Sequence, residues 1–398
     1  MNKKILPILT VAMSIIISLG IAEIALRNFN LVSKVKSGWG WRDMPFQKSI
    51  KVEGDINQLG LRGKKIDYSH DDIVVLLVGD SQVESASLSF MDMPENILES
   101  LNNSHGRKIK VFSIGASGWG QDQEYLALQK YFEKYRADYV FLWLTPGNDI
   151  WENTFPDRST SLVSGPIKPT FKVVDGRLIG PYFGGDFYYG GFALTQLLAE
   201  RIYGIRSNQL IANQWSDEFS NMNKIQNSDS CMAGEPVEQS YFFKNIYNFG
   251  DAKNIVVQTS EMINIGRSHL AGLVKPKLQS QYYGEDLTKK LITSIKNLSE
   301  KNSAKFFIFF PHREEDRYIE KICAVLTKDG KRFSFGGTTS ELVKRLSAGS
   351  NLIHGDIEGL NENVISVDDR HLNKIGNLKA MRLLSDQVRF GGSILNNR

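Results

Sequence analysis

Residues 73–78 read IVVLLV and run straight into Gly79-Asp80-Ser81. Six consecutive apolar residues, most of them β-branched, suit a strand buried on both faces, as strands inside a parallel sheet are. Four further runs have the same character: 109–114 (IKVFSI), 139–144 (YVFLWL), 306–310 (FFIFF) and 364–367 (VISV). Helical patterns separate them at 92–104, 121–136, 285–302, 314–328 and 371–389. Strands alternating with helices predict right-handed βαβ crossovers. The fold class is therefore α/β, with a parallel five-stranded sheet and 73–78 at its centre. Ligands of such sheets gather at the carboxyl ends of the strands.

Outward from this frame the pattern changes twice. Between 151 and 284 the alternation stops, and clusters such as GPYFGGDFYYGGF (180–192) appear. This segment reads as an insertion, or cap, within a domain spanning 71–390. At the other end, residues 5–22 (ILPILTVAMSIIISLGIA) carry no charge and are long enough to cross a bilayer. Lys3 and Lys4 precede them, so residues 1–28 predict a signal anchor. Cleavage after Gly20-Ile21-Ala22 is the alternative, giving a secreted protein. Either route puts the soluble part in the periplasm or outside. Residues 29–70 form a lead-in linker, with GLRG (60–63) as a tight turn before the first strand.

Composition narrows the function classes. The chain has 398 residues and a net charge of +4, from 48 basic and 44 acidic residues. That balance is too weak for a nucleic-acid footprint. Its two cysteines, Cys231 and Cys323, exclude a disulfide-stapled scaffold and a four-cysteine zinc site, although one bridge between them stays open.

Each strand end then offers a chemical candidate. Ser81 follows the first strand on a turn into a helix, as a nucleophile or as a helix cap. GASGWG (115–120) follows the second, where glycines admit a ligand to the backbone; its spacing is not that of a dinucleotide fingerprint. PGND (146–149) follows the third, where the Asn148 amide suits a developing oxyanion. After the fifth comes DDRHLN (368–373), in which Asp368 precedes His371 by three residues and can orient its imidazole as a general base. Ser117 reads as a turn residue and His312 as a structural histidine. Asp368 and Asp369 lack a third ligand at metal spacing. The aromatic stretch at 182–192 offers either sugar stacking or ordinary cap packing. No GxSxG elbow occurs.

Together, GDS, GASGWG, PGND and DDRH resemble the four blocks of the SGNH (GDSL-type) hydrolase superfamily. The resemblance covers about half the chain. It implies a flavodoxin-like three-layer α/β/α sandwich, a Ser81–Asp368–His371 triad, an oxyanion hole made by Ser81, Gly118 and Asn148, and neither cofactor nor metal. Gln82 stands where leucine is usual, and Pro146 where glycine is. The lead-in and apolar N-terminus are similar to a bacterial envelope subgroup associated with polysaccharide machinery. The expected activity is an esterase acting on O-acyl esters of envelope carbohydrate or lipid. An O-acetyltransferase for an exported polysaccharide, or a non-catalytic polysaccharide-binding protein, are the alternatives. The expected partners are the acylated substrate and the membrane.

Overall fold

Val74, Leu76 and Val78 pack into one hydrophobic cluster, while Val75 and Leu77 pack into another. Side chains of a strand alternate between faces, so this division means that both faces of the sheet are covered. The computed structural model describes residues 5–35, 56–103, 108–157, 167–183, 187–204, 207–222, 272, 274–275, 277–313, 324–326, 332–335, 339–347, 349–359, 362–366, 369–388 and 390. Its main sheet has five parallel strands: β1 (Ile73–Gly79), β2 (Ile109–Gly115), β3 (Tyr139–Trp143), β7 (Lys305–Arg313) and β10 (Asn351–Ile357). Their spatial order is β10-β7-β3-β1-β2. The middle place is held by β3 and not, as the sequence suggests, by 73–78; β1 lies between β3 and the edge strand β2, and the chain reverses its direction of travel beside it.

Helices α4 (Gln121–Phe132), α8 (Gln279–Lys301) and α9 (Thr339–Leu346) cover one face, through Leu128, Ile292, Ile295 and Leu342. Helices α3 (Pro94–Asn103) and α10 (Lys374–Gln387) cover the other, through Leu98, Met381 and Leu384. On that face Phe141 and Phe307 stack at 5.2 Å, and Phe390 meets Phe141 edge-on at 6.0 Å. Such aromatic pairs add to what their buried area contributes.

Two further sequence expectations need correction here. Residues 364–366 form no strand; Val364 makes a single bridge to Leu372. The fifth strand is instead Asn351–Ile357, NLIHGDI. It lies at the sheet edge with only Ile353 and Ile357 buried, so it never needed a continuous apolar run. Likewise, the helix expected at 314–328 is a strand where it is described: β8 (Ala324–Leu326) pairs with β9 (Arg332–Phe335), which pairs with β6 (Val274–Lys275). The remainder of 314–328 lies outside the described residues, as do Cys231 and Cys323.

The insertion is shorter at both ends than the sequence implies. Residues 151–154 complete α5 (Pro146–Thr154), and α8 starts at Gln279. Within it the hairpin β4 (Thr170–Val174) and β5 (Arg177–Tyr182) packs Phe171 on Leu287 and Leu291 of α8. Helices α6 (Ala193–Tyr203) and α7 (Ser207–Met222) follow. Lys168, at the start of this segment, pairs with Asp122 of α4, and both side chains are fully buried. The N-terminal α1 (Ile5–Asn28) is the one helix among the described residues that is long and apolar enough to cross a membrane.

Candidate functional site

The carboxyl end of β1 meets that of β2 with almost no clearance. Gly79 and Gly115 are register partners, and a Cβ on Gly115 would lie 2.4 Å from the Gly79 carbonyl oxygen. Glycine is needed there, and the chain can turn sharply at Asp80. The Asp80 carboxylate accepts from the Gln82 N–H at 2.9 Å and so caps α2 (Ser81–Glu84), a helix of four residues. Ser81 is its first residue and is 7% exposed.

His371 reaches the same place from 290 residues downstream. Its Nε2 lies 2.7 Å from Ser81 Oγ, and its Nδ1 contacts the carboxylate of Asp369. The loop carrying it is fixed at several points. Asn373 caps α10 by accepting from Ile375 N and Gly376 N at 2.9 and 3.0 Å, and its amide donates to the carbonyls of Glu362 and Val364. The Ile365 N–H donates to the His371 carbonyl at 3.0 Å. The carboxylate on the histidine is thus one residue later than the Asp368 that the D-x-x-H spacing selects. Asp368 itself lies outside the described residues.

Gly118 and Asn148 arrive on the neighbouring turns. Gly118 has φ +77°, a left-handed conformation that favours glycine. Its loop is tied to α2 by Glu84, whose Oε2 accepts from Ser117 N at 2.7 Å. Ser117 is a turn residue, as its sequence suggests. Pro146 occupies the first turn of α5, where a missing N–H does no harm. Asn148 follows and donates through Nδ2 to Asp80 Oδ2 at 3.3 Å. An amide nitrogen carries two hydrogens, so a second remains to donate.

Other candidates fall elsewhere. His312 stands on β7 beside Phe310 and His354, with its Nδ1 3.4 Å from Ser340 Oγ. Tyr182 and Phe183 pack against Trp215.

Three residues that sequence reasoning passed over hold the site together. Gln82 Oε1 accepts from Leu372 N at 3.2 Å, joining the serine helix to the histidine loop. Its only signal was its departure from leucine. Glu84 holds the Gly118 loop. Arg62, inside the GLRG turn, is fully buried and donates to the carbonyls of Glu84 at 2.9 Å, Leu88 at 2.6 Å and Ser85. It satisfies acceptors that the end of α2 would otherwise leave open.

Beneath the site lies a buried acidic group. Burial pushes the Glu124 carboxyl well above its usual range, and the charges of Asp149, Asp80, Asp122 and Glu152 push it further. Burial and the charges of Asp80 and Glu152 raise Asp149 in the same way, against its bond from Thr145 N. Asp122 is also raised by burial, with Lys168 acting in the opposite direction. No family model matches the sequence, and no curated protein matches it.

Proposed function

We propose that the protein is a serine acyl hydrolase of the SGNH type, built on a flavodoxin-like sandwich and acting on O-acyl esters of cell-envelope carbohydrate or lipid. The observation that carries this reading is the contact of Ser81 Oγ with His371 Nε2 at 2.7 Å, with Asp369 on the far nitrogen. The strand order β2-β1-β3-β7-β10 supports the flavodoxin-like part, since it reverses beside β1, where the serine emerges.

In this mechanism His371 Nε2 takes the Ser81 proton as Oγ bonds to the ester carbonyl carbon. The Ser81 and Gly118 N–H groups and the Asn148 amide receive the oxyanion. Collapse of the intermediate breaks the ester bond, and His371 returns its proton to the departing alcohol oxygen. Water then attacks the acyl-serine with the same base, restoring Ser81 and releasing the acid. A sugar hydroxyl in place of that water would make the enzyme an acyltransferase.

The test is labelling of the full-length protein with a fluorophosphonate, beside an acyl-release assay run with and without glycan acceptors. Labelling is expected at Ser81 and is expected to vanish in Ser81→Ala. Release that depends on an acceptor would redirect the reading to transfer. Labelling that persists in Ser81→Ala, or full activity in His371→Ala, would overturn it and bring the binding-protein alternative forward.

A further inference from the structure

The last turn of α1 is gripped by the insertion. Glu23 accepts from the N–H groups of Ala193 and Leu194 at 2.9 and 2.8 Å, amides that the start of α6 leaves without helical acceptors. Arg27 bonds Glu23 at 2.5 Å and the Gly191 carbonyl at 3.0 Å, and stands over the Tyr188 ring. Leu26, Val32, Tyr188 and Ala193 form a small core around this junction.

The junction has a definite height. Residues 5–22, rising ~1.5 Å each, reach about 27 Å, close to the ~30 Å of a bilayer's hydrocarbon layer. The helix that would span the membrane therefore ends where α6 is attached.

Around that point the surface is apolar. Phe29 is 74% exposed, Leu31 65%, Phe192 57%, Leu198 48% and Ile202 70%. Leu198 and Ile202 stand four apart and share one face of α6, while Ala193, Gln196 and Ala199 are buried on the other. Lys34 and Arg201 supply positive charge beside them, while Arg27 is paired with Glu23. Exposed large apolar side chains with neighbouring cations are the makeup of a helix that lies in the headgroup layer of an anionic membrane.

We propose that α6 is such a helix, seating the insertion on the bilayer beside α1. This rests on reading α1 as a membrane span. The experiment uses the full-length chain with Cys231→Ser and Cys323→Ser, carrying one cysteine at a time: Ile15→Cys, Leu198→Cys, Ile202→Cys or Lys301→Cys. Each is labelled with nitrobenzoxadiazole and reconstituted in phosphatidylcholine–phosphatidylglycerol vesicles containing nitroxide lipids. Headgroup nitroxides are expected to quench positions 198 and 202 roughly threefold more than the exposed position 301, and mid-chain nitroxides to quench position 15. If position 15 is quenched while 198 and 202 match 301, the seat is wrong and the anchor stands. Blue-shifted emission at 198 and 202 without lipid quenching would mean that protein, such as a second copy, covers them, and would also overturn the seat. If position 15 is not quenched, the anchor reading fails and the seat falls with it.

Discussion

A serine hydroxyl is a weak nucleophile until a base removes its proton, and His371 can do so at Ser81 only with Nδ1 carrying the other proton. The Asp369 carboxylate at Nδ1 favours that tautomer. Asp369→Asn is therefore expected to lower kcat by about 10²- to 10⁴-fold with KM little changed, measured by steady-state acyl release. A larger loss in Asp368→Asn would return the role to Asp368. Gln82 acts at one remove, through the Leu372 N–H. Gln82→Leu should cost roughly five- to tenfold in kcat, the equivalent of about 1 kcal/mol for one lost hydrogen bond. A loss seen only in KM would mean that Gln82 touches substrate instead. Ser81 and Asn148 were legible because each follows a strand at the sheet's carboxyl edge, and His371 because an aspartate precedes it by three residues, although the run at 364–366 before it is no strand. The choice between Asp368 and Asp369 was not, because it depends on how the loop from 362 to 373 folds back through Asn373.

At the scale of elements, the four residues of α2 form few hydrogen bonds of their own and are held by the segments around them. Arg62 covers the carbonyl end, Asp80 the amide end, and Asn377 of α10 donates to Ser85 Oγ at 3.2 Å. Arg62→Met should lower stability by about 1–3 kcal/mol, the cost of leaving buried acceptors unmade, since the carbonyls of Glu84, Ser85 and Leu88 lose their donor. Thermal unfolding would read this as a lower Tm. Arg62→Lys should rescue little, because a single ammonium cannot reproduce a planar fork that reaches three carbonyls. An unchanged Tm in Arg62→Met would show that α2 holds itself. The three inner strands and the edge strand β2 could be read from their apolar runs, since all four are buried almost throughout and burial dictates composition. The other edge strand, Asn351–Ile357, could not, because its half-solvated surface admits His354, Gly355 and Asp356.

Across the whole molecule, the buried acids make stability depend on pH in an unusual sense. Glu124 ordinarily titrates at 4.5, and the fold raises it well above that value. Its protonated form thus favours the folded state: that stability is complete below pH 4.5 and is lost as pH rises through the raised value. Neither carboxyl oxygen of Glu124 has a hydrogen-bond partner among the described residues. Glu124→Gln should therefore match the wild type in acid and exceed its Tm progressively towards alkaline pH; parallel Tm profiles would refute the assignment. Lys168→Met, which strands Asp122 without its cation, should destabilise by about 3–5 kcal/mol at neutral pH, and unfolding in urea would measure it. The Lys168–Asp122 pairing was not visible in the sequence, because the two meet only when the start of the insertion lies on α4. The 290 residues between Ser81 and His371 also set a schedule for biosynthesis. At roughly 5–20 residues per second, about 15 to 60 s separate the synthesis of the two. During that interval the nucleophile has no base. On the proposed reading, a chain exported as it is made would acquire the Ser81–His371 pair only after residue 371 had crossed, and would be inert on the side where it is synthesised.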